Sequence, residues 1–119
     1  MLQKRIKSFI HALHGIWTLF STQPNARIHA AVGAAAVAAG IFFKINTSEW
    51  LAIVTVSALV LSAEAMNTAV EFVVDLVTAD YHHLAGKAKD VAAAAVLLAA
   101  MGAVVVGLLI FVPKIRLLF

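Results

Sequence analysis

The chain has 119 residues, of which 63% are hydrophobic and only 13% are charged. A water-soluble domain is excluded, because a chain of this size cannot bury so much apolar surface inside itself. The nine Lys and Arg give a formal net charge of +3, but they flank apolar segments instead of massing on one face, which favours anionic lipid headgroups over nucleic acid. With no cysteine in the chain, a disulfide framework and a thiolate metal site are also excluded.

The first segment predicts an amphipathic helix over about residues 5–21. Apolar residues recur there at three- and four-residue steps, while Lys7, His11 and His14 fall on the opposite face. The segment is too polar to span a bilayer, so we expect it to lie in the headgroup plane. Packing against another protein surface is the alternative.

Three apolar segments follow and predict membrane spans over about residues 28–44, 50–77 and 91–112. The first is short for a hydrocarbon core of about 30 Å, whereas the second is longer than the core requires. The sequence therefore predicts an all-α membrane protein, a single domain over residues 1–119, with a surface helix before three transmembrane helices. Lipid or sister chains would cover the apolar surface that remains.

Turn-forming residues separate these segments. Pro24 is expected to end the surface helix and to begin the next one. Ser48 is predicted to cap the second span, and Gly86 to form a turn before the third. Pro113 is predicted to end the third span.

The positions of the cations predict a cytoplasmic N-terminus, because cytoplasmic loops carry an excess of Lys and Arg. In this orientation Lys44, Lys114 and Arg116 lie on the outer side. The other six cations lie inside: Lys4, Arg5, Lys7, Arg27, Lys87 and Lys89.

Four polar residues of the second span form one stripe. At 100° per residue, Glu64, Asn67, Glu71 and Asp75 fall within about 80° of one another around the helix. Carboxylates in a membrane helix cost several kcal/mol each unless cations, protons or a metal neutralise them. The stripe therefore predicts a functional site.

Basic residues are expected to meet this stripe. Lys87, Lys89 and Asp90 precede the third span, so they enter the membrane at the interface where Glu71 and Asp75 leave it. Carboxylates and an amide beside lysines suit Mg²⁺ together with substrate phosphates. This combination points to phosphoryl transfer, in which metal and lysine charges and one base do most of the work.

Other interpretations of the stripe remain open at this point. Polar residues often only lock membrane helices together, which would make the protein a non-enzymatic oligomer. A small ion- or proton-coupled transporter with Glu64 as its carrier carboxylate is a further possibility. Adjacent His82 and His83 could bind a metal, but on a polar loop they are more simply solvated. The segment around Lys87 lacks the glycine and hydroxyl spacing of a P-loop.

The same residues carry a resemblance to a known family. The run Glu64-Ala65-Met66-Asn67-Thr68-Ala69-Val70-Glu71-Phe72-Val73-Val74-Asp75, followed by Gly86-Lys87-Ala88-Lys89-Asp90 and an alanine-rich span, resembles the prokaryotic diacylglycerol kinases, which include undecaprenol kinases. The likeness covers nearly the whole chain. It implies a homotrimer in the bacterial cytoplasmic membrane, with composite sites, that uses ATP and Mg²⁺ to phosphorylate a lipid alcohol.

The resemblance also implies roles for the site residues. Glu64 would be the general base on the lipid hydroxyl, and Glu71 would bind the metal. Lys89 would contact phosphate. The remaining residues assigned to nucleotide binding are Asn67, Asp75, Lys87 and Asp90.

One position departs from the family pattern. Four residues before Arg27, where the family usually has a second metal-binding glutamate, this chain has Gln23. An amide still offers an oxygen but lacks the charge that holds Mg²⁺. The resemblance leaves diacylglycerol and undecaprenol both open as substrates, although Arg27-Ile28-His29 is more similar to the undecaprenol kinases.

Overall fold

The computed structural model describes all residues 1–119 and contains four α-helices and no strand. The helices are α1 (Leu2–Thr22), α2 (Pro24–Phe42), α3 (Thr47–Val77) and α4 (His83–Arg116). By length and composition, α2, α3 and α4 can each cross a membrane. The predicted fold class, an N-terminal helix before three spanning helices in an all-α protein, is therefore confirmed.

The first helix is joined to the others near its end. Only Leu19 of α1 is buried, and the apolar face of the helix is exposed. Arg27 of α2 fixes the junction, because its guanidinium donates hydrogen bonds to the backbone carbonyls of Phe20 at 2.6 Å and Ser21 at 2.7 Å. These are carbonyls that a helix end leaves without an intrahelical partner. Arg27 thus sets the direction in which α1 leaves the bundle.

The three long helices form a bundle in which α3 is central. α3 packs most extensively on α4, and α2 packs on α3. Ile45, Ile53 and Ile110 form the buried cluster near the α2–α3 turn. The turn itself places Lys44 in the left-handed region, with φ of 50°. Because each connection is short, neighbouring helices run antiparallel.

The predicted cap of α3 is wrong. Asn46 caps the helix in place of Ser48, since its side chain accepts a hydrogen bond from the Glu49 backbone N–H at 3.0 Å. The Glu49 carboxylate in turn accepts from the Asn46 backbone N–H at 2.9 Å. This reciprocal capping box satisfies two donors at once, which a serine two residues later cannot do.

The predicted turn at Gly86 is wrong, and the last helix extends beyond both ends of the third predicted span. Gly86 lies inside α4, because the helix begins at His83, where the His82 Nδ1 accepts a hydrogen bond from the Leu84 N–H at 3.2 Å. Pro113 lies inside α4 as well, and the helix continues to Arg116. A proline near a helix end removes only one hydrogen bond, and an ion pair from Lys114 to α3 holds this last turn.

Candidate functional site

The polar stripe of α3 runs from the interior of the bundle to the end of the helix. Glu64 is buried, with 3% of its side chain exposed, and Asn67 and Glu71 are half-buried. Asp75, one turn further along, is 63% exposed. The stripe thus carries acidic groups from a position buried against α2 out to the α3–α4 turn.

Asp75 and Lys89 pair as the sequence predicted. The Lys89 Nζ donates a hydrogen bond to Asp75 Oδ1 at 2.6 Å and joins the ends of α3 and α4. Lys87 and Asp90 are exposed beside them and form no ion pair. A cavity of about 220 Å³ opens next to this pair, lined partly by the α3–α4 loop. Basic and acidic groups are therefore available here to a ligand.

Asn67 and Glu71 form the middle of the stripe. The Asn67 Nδ2 donates to Glu71 Oε1 at 3.0 Å, while the buried Asn67 Oδ1 has no hydrogen-bond partner. Buried polar atoms are rarely left unpaired, so an orphaned oxygen calls for an explanation such as an ion. A carboxylate and an amide oxygen are hard donors that suit Mg²⁺, which uses few protein ligands together with water and phosphates. These residues therefore fit a magnesium ion.

Gln23 lies at the junction of α1 and α2, where it is half-buried. No hydrogen bond or ion pair joins it to Glu71, and the chain holds no group of three or more His, Cys, Asp or Glu that could bind a metal. Its assignment to the metal thus stays a prediction, as do the assigned roles of the other site residues.

The neighbour of Glu64 was not predicted. The side chain does not pair with Lys89, and instead Glu64 Oε1 lies 3.3 Å from the Nε2 of His29 on α2. The approach lacks hydrogen-bond geometry, so this oxygen has no hydrogen-bond partner. His29 does have a signal in the sequence, because an ionisable residue inside an apolar span is by default a candidate functional residue.

Two apolar cavities meet at His29. The larger, about 520 Å³, runs between α2 and α4 over α3, with Gly33, Ala103 and Gly107 among its small lining residues. The smaller, about 280 Å³, lies on the other side of α2. A long hydrocarbon chain fits such a lining better than a polar ligand does.

Taken together, three spanning helices and a stripe of carboxylate, amide and lysine groups at one end of them define a helical membrane protein with a polar, phosphate-compatible site. Comparison with known proteins identifies the family within this class. Residues 10–111 match the sequence profile of a family described as prokaryotic diacylglycerol kinase. The chain belongs to this family, and the predicted class of enzyme, a kinase, is confirmed. The interpretations as a non-enzymatic oligomer or a transporter are not supported.

Individual relatives agree with the family match. The undecaprenol kinase of Bacillus subtilis is 41% identical over 114 residues, which cover 96% of this chain and 93% of that protein. A diacylglycerol kinase of Synechocystis is 43% identical over 109 residues, which cover 91% of this chain but 62% of that protein. The diacylglycerol kinase of Escherichia coli K12 is 49% identical over 47 residues, or 40% of this chain.

Proposed function

We propose that this protein transfers the γ-phosphoryl group of ATP to the hydroxyl group of undecaprenol at the cytoplasmic face of a bacterial membrane. The observation that carries the proposal is the buried Glu64 carboxylate, whose Oε1 has no hydrogen-bond partner. A buried carboxylate oxygen without a hydrogen bond is costly and is kept where it has a chemical task. In a kinase, that task is to accept the proton of the hydroxyl group that attacks the phosphate.

The proposed reaction assigns one proton to Glu64. The lipid O–H bond breaks as its proton passes to the Glu64 carboxylate, and the lipid oxygen forms the new bond to the γ-phosphorus. The bond from phosphorus to the bridging oxygen breaks, and its electron pair leaves with ADP. Burial of Glu64 excludes bulk water, which would otherwise compete with the lipid alcohol for the phosphoryl group.

Nucleotide binding is assigned to the outer part of the stripe. Glu71 and the free Asn67 Oδ1 would hold Mg²⁺, with Gln23 as a further oxygen donor, and the ion would neutralise phosphate charge. Lys89 would bind a phosphate oxygen, for which its pairing with Asp75 positions the ammonium group. Lys87 and Asp90, exposed on the same turns of α4, would complete the nucleotide site.

Undecaprenol is favoured over diacylglycerol by two observations. The undecaprenol kinase from Bacillus subtilis matches this chain over 93% of its own length, whereas the Synechocystis diacylglycerol kinase is matched over 62% of its length. The second observation is the Arg27-Ile28-His29 segment, which is more similar to the undecaprenol kinases.

The proposed location follows from charge and exposure. The excess of Lys and Arg at the N-terminus and before α4 supports a cytoplasmic N-terminus. The exposed apolar face of α1, with polar residues opposite, supports a position in the headgroup plane. The small number of metal ligands in one chain supports sites shared between chains, and the family resemblance implies that the oligomer is a homotrimer.

The direct test offers labelled ATP, Mg²⁺ and either undecaprenol or diacylglycerol to the purified protein in detergent micelles. We expect undecaprenyl phosphate, and we expect Glu64→Gln to lower the rate by about 10²- to 10⁴-fold. The oligomer and the thermal unfolding midpoint should stay unchanged in this variant. Product from diacylglycerol alone would reassign the substrate, and product from neither lipid would contradict the proposed function.

A further inference from the structure

His29 is the ionisable neighbour that the structure gives to Glu64. Its Nε2 lies 3.3 Å from Glu64 Oε1, and 26% of the histidine side chain is exposed against 3% for the glutamate. Residues 91–112 of α4 contain no ionisable residue. The α1 residues that line the cavity against α3 are not ionisable either. His29 is therefore the side chain that can hold this carboxylate.

Two nearby cations, Arg27 and Lys89, are occupied elsewhere. Arg27, two residues before His29, donates to carbonyls at the end of α1. Lys89 pairs with Asp75, eleven residues beyond Glu64 on α3. Since neither cation forms an ion pair with Glu64, neither fixes the orientation of this carboxylate.

His29 also lies where the apolar cavities end. Its side chain lines both the 520 Å³ groove between α2 and α4 and the 280 Å³ cavity on the other side of α2. A lipid whose chain occupied the larger groove would bring its polar end to His29. The hydroxyl group would then lie close to Glu64, which is next to His29. The imidazole therefore borders both the acid and the cavity from which the hydroxyl group would approach.

We propose that His29 is a positioning residue for Glu64: the close approach of its Nε2, at 3.3 Å, restricts the carboxylate to the orientation that accepts the proton of the lipid hydroxyl. His29 itself takes no proton from the substrate. This role depends on the proposed function, because it requires Glu64 to be the base. Orientation is expected to matter because a displacement of about 1 Å between reacting groups can lower a rate by about 10²-fold.

Two amide substitutions at His29 distinguish the effect of side-chain length from the effect of a titratable imidazole. Glutamine places an N–H group about as far from the backbone as the Nε2 of histidine, whereas the amide of asparagine stops one atom short. Neither amide titrates, and both are polar. If His29 positions Glu64, His29→Gln should keep most of the rate, and His29→Asn should lose it.

The experiment measures kcat and both KM values with labelled ATP, Mg²⁺ and undecaprenol or diacylglycerol, whichever the unaltered protein phosphorylates. We expect His29→Asn to lower kcat about 10- to 100-fold with the KM for ATP unchanged, and His29→Gln to stay within about threefold of the unaltered protein. His83→Asn, on an exposed residue at the start of α4, is the matched control and should change neither kcat nor the two KM values. Equal rates for the two His29 variants, whether both high or both low, would overturn the proposal.

Further measurements separate the possible failures. Thermal unfolding in detergent checks that each variant folds, and His29→Ser replaces His29→Asn if the latter does not. In a Glu64→Gln background the asparagine substitution should have no additional effect, because a positioning residue acts only through the group that it holds. A fully active Glu64→Gln protein would refute the base as well as its positioning residue. An inactive Glu64→Gln protein with two unaffected His29 variants would refute the positioning role alone.

Discussion

The two ends of the helix bundle contain similar polar residues, but the hydrogen-bonding groups of these residues are paired to different degrees. At the capped end, where α2 meets α3 and α4 finishes, Asn46 and Glu49 cap each other and Glu49 also pairs with Lys114 at 2.9 Å. At the acidic end, defined by the stripe from Glu64 to Asp75, two buried oxygens have no hydrogen-bond partner. A protein that needed polar groups only for packing would satisfy them all. The contrast locates the chemistry at the acidic end.

Gly40, at the capped end, is more tightly surrounded than His29 near the acidic end. A Cβ atom on Gly40 would lie 2.8 Å from the Trp50 ring and 2.9 Å from the Ile45 side chain. Near the acidic end, His29 borders two cavities. Close packing around Gly40 and open volume beside His29 fit a division between a rigid anchor and a binding region.

The largest effect expected from the contrast between the two ends concerns two glutamates of α3. We expect Glu71→Gln to lower kcat/KM by about 100-fold or more, because it removes the charge proposed to hold the metal. Glu49→Gln should leave kcat unchanged and lower the unfolding midpoint, since it breaks the capping box and the Lys114 pair. Initial rates and thermal unfolding measured on both proteins provide the check. Similar activity losses in the two variants would remove the distinction between the ends.

The packing contrast predicts a difference between two glycines of α2. We expect Gly40→Ala to lower the free energy of unfolding by about 1–3 kcal/mol, because Trp50 and Ile45 must shift to admit a methyl group. At Gly33 the nearest atom, the Ser57 Oγ, would lie 3.8 Å away, so Gly33→Ala should be neutral or stabilising. Denaturant unfolding in mixed micelles measures both. A greater loss of unfolding free energy in Gly33→Ala than in Gly40→Ala would contradict looser packing around Gly33.

The departure from the family pattern at Gln23 predicts that a substitution there changes the Mg²⁺ concentration needed for activity. We expect Gln23→Glu to lower the Mg²⁺ concentration for half activity by about tenfold, since an added charged contact is worth about 1.5 kcal/mol. Asn25→Asp adds the same charge two residues away and should leave the requirement unchanged. Magnesium titrations of initial rate decide between these outcomes. An unchanged or higher requirement in Gln23→Glu would count against a metal-binding role.

The smallest expected effect concerns the two ion pairs between α3 and α4. Asp75 and Lys89 are 63% and 40% exposed, so a double-mutant cycle on this pair should give a coupling free energy of only about 0.2–1 kcal/mol. Glu49 and Lys114 are 22% and 26% exposed, and we expect their coupling to be greater. The cycles use the free energy of unfolding of single and double alanine variants. A stronger coupling at Asp75 and Lys89 would assign that pair to stability instead of nucleotide binding.

The sequence alone determined the number and kind of the helices. Long apolar segments must be helical in a bilayer, because the hydrocarbon core leaves no other partner for backbone groups. The alignment of Glu64, Asn67, Glu71 and Asp75 also followed from local geometry, since 100° per residue fixes which side chains share a helix face. The pairing of Asp75 with Lys89 could be predicted because a short connection brings the end of α3 to the start of α4.

Only the tertiary structure decided which groups meet across helices that are distant in sequence. Nothing in the local pattern indicated that Glu64 would face His29, 35 positions earlier in the chain, or that Arg27 would bind the carbonyls of α1. The helix ends were decided in the same way, since Lys114 reaches Glu49 and keeps the turn after Pro113 helical. Periodicity along one helix says which side chains share a face, but the rotation and translation of each helix against its neighbours select the partner of each side chain.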